Sequence, residues 1–150
     1  MAYRASAYFK GNSRKPFPSG FHAGASVTIL HTHVFDKESL DPADVLELMP
    51  LPAGARVVAM TYPSENLPAG NGTIGLMSGT PGEPDGARTV GSEYVNAVAH
   101  AATDGNVTLV TLAAAALNPS DSPRSIGFKT SALIGVAANR RLHLRVTLQF

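Results

Sequence analysis

Two histidines that stand one residue apart are the residues best suited to chemistry in this 150-residue sequence. Imidazole nitrogens bind metal ions and exchange protons near neutral pH, and alternate residues of a strand point to the same face. His31 and His33 could therefore hold one ion, and Glu38 could add a carboxylate. The alternative is that both rings are hydrogen-bonded sheet residues, because the apolar Val27 and Phe35 stand close by.

With Gly24 ahead of them, these three residues are similar to the first metal-binding motif of the cupins, which are β-sandwich enzymes and binding proteins. The resemblance implies that all three would be metal ligands. The second cupin motif supplies a further histidine soon after a Pro-x-Gly turn. Neither 52–54 nor 68–70, the two such turns here, is followed closely by a histidine. A cupin-like metal-binding protein or enzyme is therefore the alternative hypothesis, and the leading one assigns no metal.

Other catalytic patterns are missing from the sequence. Without cysteine, the chain has neither a thiol nucleophile nor a disulfide framework. It also lacks a Gly-x-Ser-x-Gly motif, and the glycine-rich stretch 71–79 lacks the Gly-Lys-Ser/Thr ending of a phosphate loop. Asp41, Asp44 and Glu47 fall in a turn and one strand, where solvated carboxylates are the ordinary interpretation. We therefore expect no enzyme, no catalytic residues and no cofactor.

The elements that would position these residues are mostly strands. Residues 141–150 alternate strictly between apolar and polar side chains, which predicts a half-buried strand. Six further strands are predicted: Ala25–Phe35, Asp44–Met49, Ala55–Tyr62, Thr73–Ser78, Asn106–Leu112 and Ile126–Leu133. Turn-forming Gly and Pro lie between them, which predicts an all-β sandwich or barrel. Helical propensity is confined to Glu93–Ala102 and Ala113–Leu117, so at most one or two short turns of helix are expected.

The start of the chain differs from the rest. Its aromatic residues follow no clear period and its prolines disfavour helix, which predicts an extended arm, 1–24, ahead of one sandwich domain, 25–150. Aromatic side chains in an arm gain stability only by lying on something. They would cover an edge of this sandwich or reach a neighbouring subunit. The speculative partner-binding residues are Arg4, Tyr8, Phe9, Lys10, Arg14 and Phe17 in the arm, with Arg141 and Arg145 on the last strand.

The charges of the chain argue against a nucleic-acid partner. A net charge of +1 gives no strong case for the concentrated basic patch that displaces counterions from phosphates. Arg141 and Arg145 share the outward face of the last strand, where they are either solvated or paired with carboxylates of a partner. No apolar run approaches the roughly 20 residues that span a bilayer, and the N-terminus lacks a secretory signal. We expect no membrane partner.

Three segments carry a family resemblance: DVLELMPLPAGARVV at 44–58, TIGLMSG at 73–79 and PSDSPRSIGFK at 119–129. In this order they resemble the small auxiliary head proteins of tailed bacteriophages. The resemblance implies an all-β, antiparallel β-sandwich of jelly-roll type that decorates or cements the capsid by bridging neighbouring major capsid subunits. It implies the major capsid protein as partner, a homodimer or homotrimer, and a place on the outer surface of the virion after synthesis in the host cytoplasm. A tail or connector subunit would show the same turns and strands.

Overall fold

The computed structural model describes residues 2–6, 8–9, 26–100, 117 and 119–150. Within these ranges the regular secondary structure is nearly all β-strand. The strands are β1 (Tyr3–Ala5), β2 (Ser26–Val34), β3 (Val45–Leu51), β4 (Arg56–Thr61), β5 (Ser64–Glu65), β6 (Asn71–Leu76), β7 (Val95–Ala99), β8 (Arg124–Thr130) and β9 (Arg141–Gln149). In the part of the chain that the structure describes, no helix has the length and apolar character needed to cross a membrane.

The strands form two sheets. One has five strands in the order β1-β3-β8-β6-β7, and the other has the order β2-β9-β4, with the short β5 also paired to β9. All pairs are antiparallel except β1 with β3. The pairs β2 with β9, β3 with β8 and β6 with β7 are nested along the chain, as in a long hairpin rolled into two sheets. This confirms the predicted all-β sandwich, and the nesting agrees with the jelly-roll type.

The core lies between the two sheets and follows the period of two. On β9 the side chains of four alternate residues are fully buried: Leu142, Leu144, Val146 and Leu148. Phe128 and Ile126 of β8 face them from the other sheet in the same core cluster. Burying a side chain of this size stabilises the fold by about 1.5–3 kcal/mol, so this alternation largely decides which face of each sheet turns inward. The C-terminal strand is therefore present as predicted.

One segment with helical propensity is a strand instead. Within Glu93–Ala102, residues Val95–Ala99 form β7 and pair with β6. Burial of Tyr94 and Val95 and the hydrogen bonds to β6 outweigh the modest helix preference of the alanines. The predicted strand Asn106–Leu112 and the segment Ala113–Leu117, apart from its last residue, lie outside the described residues.

The first described residues pack on this domain. β1 lies parallel to β3 at the edge of the five-stranded sheet, and the Ser6 amide donates a hydrogen bond to the Glu47 carbonyl at 2.9 Å. Tyr8 is 6% exposed and belongs to the main core. Residues 2–6 and 8–9 thus cover an edge of their own sandwich, which is one of the two alternatives considered for the arm.

Candidate partner-binding surface

The outer surface of the five-stranded sheet is covered by the connection between β6 and β7, residues 77–94. Met77 and Val90 from this connection form a small second core with Val45 of β3. A Cβ atom at Gly127 of β8 would clash with both Met77 and Val90, so glycine permits the close approach. This sheet surface is therefore closed to a partner at β3 and β8.

A buried ion pair holds the 77–94 connection in place. Glu47 of β3 is fully buried, and Arg88 Nη2 donates to its Oε1 at 2.8 Å. The Tyr3 hydroxyl and the Gly82 amide donate to the same carboxylate. Burial alone would raise the pKa of the Glu47 carboxyl, but the hydrogen bonds from Arg88, Ser125, Tyr3 and Gly82 outweigh it and lower the pKa. Glu47 is thus a structural anion.

This corrects the interpretation of the acidic segment as solvated. Only Asp41 of the three predicted surface carboxylates is exposed. Asp44 is buried, accepts a hydrogen bond from the Ala2 amide at 2.7 Å and lies 3.8 Å from Arg4. Asp44 and Glu47 both attach the start of the chain, residues 2–4, to β3 and to the residue before it. The spacing of the acids in the sequence did not reveal that this segment would cover them.

The outer surface of the four-stranded sheet is open by contrast. Its side chains are mostly threonine and arginine, and Leu30 on the edge strand β2 is 58% exposed. Leu30, Arg145 and Thr61 are in register across β2, β9 and β4 and form one transverse row. Two shallow depressions adjoin this row, and both are lined by Arg145 and Thr61. We call this surface the threonine–arginine face, after its residues: Thr28, Leu30, Thr32, Ala59, Thr61, Arg141, His143, Arg145 and Thr147.

The two arginines proposed for a partner lie on this face in different surroundings. Arg141 Nη1 is 3.5 Å from the Glu65 carboxylate, and His143 Nε2 is 3.2 Å from the same group. Arg145 is exposed and makes no hydrogen bond or ion pair with any described residue. Thr61 is 6% exposed, and its hydroxyl oxygen has no hydrogen-bond partner in the described part of the chain. Arg145 is therefore the arginine that remains available.

The proposed arm residues divide into two groups. Arg4 lies 3.9 Å from Glu38, and Phe9 packs against the main core. The ring of Tyr8 contacts that of His31, with 4.8 Å between ring centroids. These side chains make contacts inside their own domain. The remaining proposed residues, Lys10, Arg14 and Phe17, lie outside the described residues.

His31 and His33 lie on the same face of β2, as their spacing predicts, and this is the face that turns toward the interior. His31 packs with Tyr8, while the His33 ring meets Phe35 edge-on at 4.8 Å between centroids. Among the residues that the structure describes, no three His, Cys, Asp or Glu side chains form a group that could hold a metal ion. His31, His33 and Glu38 are thus not brought together as the three ligands of the cupin alternative.

No protein-family model and no curated protein matches the sequence. Solved structures do match it. A chain from the capsid of Ralstonia phage GP4 superposes with a TM-score of 0.82 and 25% identity, over 99% of both chains. A chain from the capsid asymmetric unit of cyanophage Pam1 superposes with a TM-score of 0.59 and 18% identity, over 91% of this chain and 93% of that one. A chain from the acid-stable capsid of Helicobacter pylori bacteriophage KHP30 superposes with a TM-score of 0.52 and 15% identity, over 86% of this chain and 90% of that one. The last two share the fold alone.

Proposed function

We propose that this chain is a structural protein of a phage virion that decorates or cements the outer surface of the capsid. It bridges neighbouring major capsid subunits and catalyses no reaction. The observation that carries the proposal is the match to a chain of the GP4 capsid, because it extends over 99% of both chains with a TM-score of 0.82. The resemblance of three sequence segments to auxiliary head proteins of phages supports the same function.

The physical character of the molecule suits such a role. The Glu47–Arg88 pair and the second small core fix one side of the sandwich, so the domain presents a stiff body to its surroundings. The other side, the threonine–arginine face, offers an exposed apolar side chain and an arginine without an ion-pair partner among the described residues. Bridging a shell relies on modest contacts that symmetry repeats, since linked binding sites strengthen one another through effective concentration.

The proposed partners are the major capsid protein and further copies of this chain, as a homodimer or homotrimer. Because Arg4, Tyr8 and Phe9 already contact their own domain, the proposal gives the largest part to Arg145. Arg141, which lies 3.5 Å from Glu65 of its own domain, is a further proposed contact. Lys10, Arg14 and Phe17 remain proposed contacts of the arm. We place the protein on the outer capsid surface, after synthesis in the host cytoplasm.

The test uses particles assembled from the major capsid protein of the same phage without this chain. The purified chain is added, the particles are sedimented, and the loaded particles are imaged by electron cryomicroscopy. We expect saturable binding at symmetry-repeated positions outside the shell, with density that touches two capsid subunits at each position. Failure to sediment with the particles contradicts the proposal, and so does density at the tail or connector of complete virions.

A further inference from the structure

We propose that the threonine–arginine face binds carboxylates of a second copy of this chain. Arg145 receives them in a depression that Thr61 also lines, and Glu83 and Asp85 of the 77–94 connection supply them. The inference deepens the proposed function, and it rests on that function for the arrangement of copies on a shell. The contact itself is a property of the chain in solution, so it is tested without particles.

The receiving side has two donors that lack acceptors within the described residues. Arg145 stands between Leu30 and Thr61 in the transverse row, and its guanidinium has no ion-pair partner there. The Thr61 hydroxyl beside it is buried and has no hydrogen-bond partner among the described residues. Both residues line both depressions. The depression that Thr28 and Thr147 line has no acidic side chain, whereas Glu65 lines the other. A carboxylate that enters the first therefore meets the Arg145 guanidinium, and charge-assisted hydrogen bonds are the stronger kind.

Leu30 gives this site an apolar neighbour. It is directly opposite Arg145 in the β2–β9 register and is 58% exposed. Arginine is one of the residue types enriched at energetically important points of interfaces, and Leu30 adds an apolar side chain beside it. Covering Leu30 also removes water from around the ion pair, which strengthens the pair.

The supplying side is held rigidly on the opposite sheet. Glu83 and Asp85 are exposed, and neither is ion-paired with a described residue. Arg88 Nη1 donates to the Glu83 carbonyl at 3.2 Å, and the Gly82 amide donates to the buried Glu47 carboxylate. The two acids therefore project from a backbone that is already ordered, which lowers the entropy cost of binding.

The geometry prevents Glu83 and Asp85 from pairing with Arg145 of the same molecule. The two sites lie on the outer surfaces of opposite sheets, and packed sheets are themselves about 10 Å apart. The acids of one copy must therefore reach Arg145 of another, which makes the contact head-to-tail. Head-to-tail contacts close into rings when the rotation between copies permits, and a trimer is the smallest ring of more than two copies. The charge complementarity thus favours a second copy of this chain as the occupant.

The size of the face predicts a weak contact. The strands β2, β9 and β4 lie about 4.8 Å apart, and the longer two have nine residues at about 3.3 Å per residue, so the face covers at most roughly 14 by 30 Å. This is about half of the roughly 800 Å² per partner that a standard interface buries. Copies held next to one another on a shell would associate readily, while free copies would do so only when concentrated.

The experiment measures self-association by sedimentation equilibrium as a function of concentration, at low and at high salt. We expect Arg145→Glu, and separately Glu83→Lys with Asp85→Lys, to raise the dissociation constant at least about tenfold. The triple variant, with all three changes in one chain, restores opposite charges in every contact and should restore association. Lys37→Glu is the matched control, because it makes the same charge change at an exposed position outside both sites.

Thermal melting by circular dichroism verifies that each variant is folded. A wild-type chain that stays monomeric up to about 1 mM at low salt overturns the inference. So does self-association that Arg145→Glu leaves unchanged, or that the triple variant fails to restore. If Arg145→Glu abolishes binding to particles but not self-association, the occupant is a capsid subunit and the inference fails while the proposed function stands.

Discussion

Arg88 and Glu47 form a salt bridge of 2.8 Å between side chains that are 1% and 0% exposed. The pair joins the 77–94 connection to β3, and the Tyr3 hydroxyl donates to the same carboxylate from β1. One buried anion thus unites three segments that are far apart in the sequence. Removing one member of such a pair leaves an uncompensated buried charge, which is more damaging than losing the attraction itself.

We therefore expect Arg88→Met to lower the free energy of unfolding by about 3–5 kcal/mol in urea denaturation. Arg56→Met is the control, because Arg56 is exposed and its side chain bonds, among the described residues, only to Gln149, and it should change stability by about 0.5 kcal/mol or less. The double variant Arg88→Met, Glu47→Met should recover part of the loss. A loss for Arg88→Met no larger than the control's would show that the pair does not hold the connection.

The lowered pKa of Glu47 predicts an acid dependence of stability. A carboxyl whose folded pKa lies below its unfolded value of 4.5 stabilises the fold above that pH, and this contribution is lost as the pH falls through the folded pKa. The difference in unfolding free energy between the wild type and Glu47→Gln should therefore shrink below about pH 4.5. Parallel stability curves for the two proteins would contradict the ionised state of Glu47.

A variant of Tyr3 tests the same ionised Glu47 carboxylate through a smaller change. Tyr3→Phe removes only the hydroxyl and keeps the ring, whose centroid is 5.7 Å from the Arg88 guanidinium carbon. Because hydrogen bonds to charged groups contribute about 1.5–3 kcal/mol, we expect a loss of that order in the same denaturation experiment. An unchanged urea midpoint would mean that water takes over the hydrogen bond of the Tyr3 hydroxyl to Glu47 with no loss of stability.

The alternation of β9 predicts opposite outcomes for neighbouring residues. Leu144→Ala should lower the free energy of unfolding by about 2–5 kcal/mol, because it opens a cavity in the core. Arg145→Ala, one residue further along, should change it by about 0.5 kcal/mol or less, since the side chain makes no contact that stabilises the isolated domain. Comparable losses for the two variants would show that the threonine–arginine face is needed for folding.

The arm is better tested by substitution than by deletion. Deleting residues 2–20 removes β1 and Tyr8, so it should lower the stability of the domain as well as any binding to particles. If the arm contacts a neighbouring subunit, the variant Lys10→Ala, Arg14→Ala, Phe17→Ala should lower particle occupancy while the melting temperature stays unchanged. Unchanged occupancy would remove these three residues from the proposed interface.

The sequence was sufficient to predict the strands that bury one face, since alternation alone identifies β9 and most of β2. It did not predict β7, because alanines favour helix until pairing with β6 is known. The buried Glu47 carried one signal, an acid inside the otherwise apolar β3, but its partner Arg88 is 41 residues away. Likewise Thr61 joins Arg145 only through the register of β4 with β9, which spacing along the chain does not reveal.

The central position of β9 affects when the molecule can fold. Ser26 pairs with Gln149, so the first strand of the four-stranded sheet waits for the last one to be translated. Until then the apolar faces of β2 and β4 have no neighbour in their own sheet, and contacts between such distant segments form slowly. Nascent chains would thus expose the apolar faces of β2 and β4 while they are on the ribosome. Correct folding would then depend on keeping these strands from pairing with other chains until β9 has been synthesised.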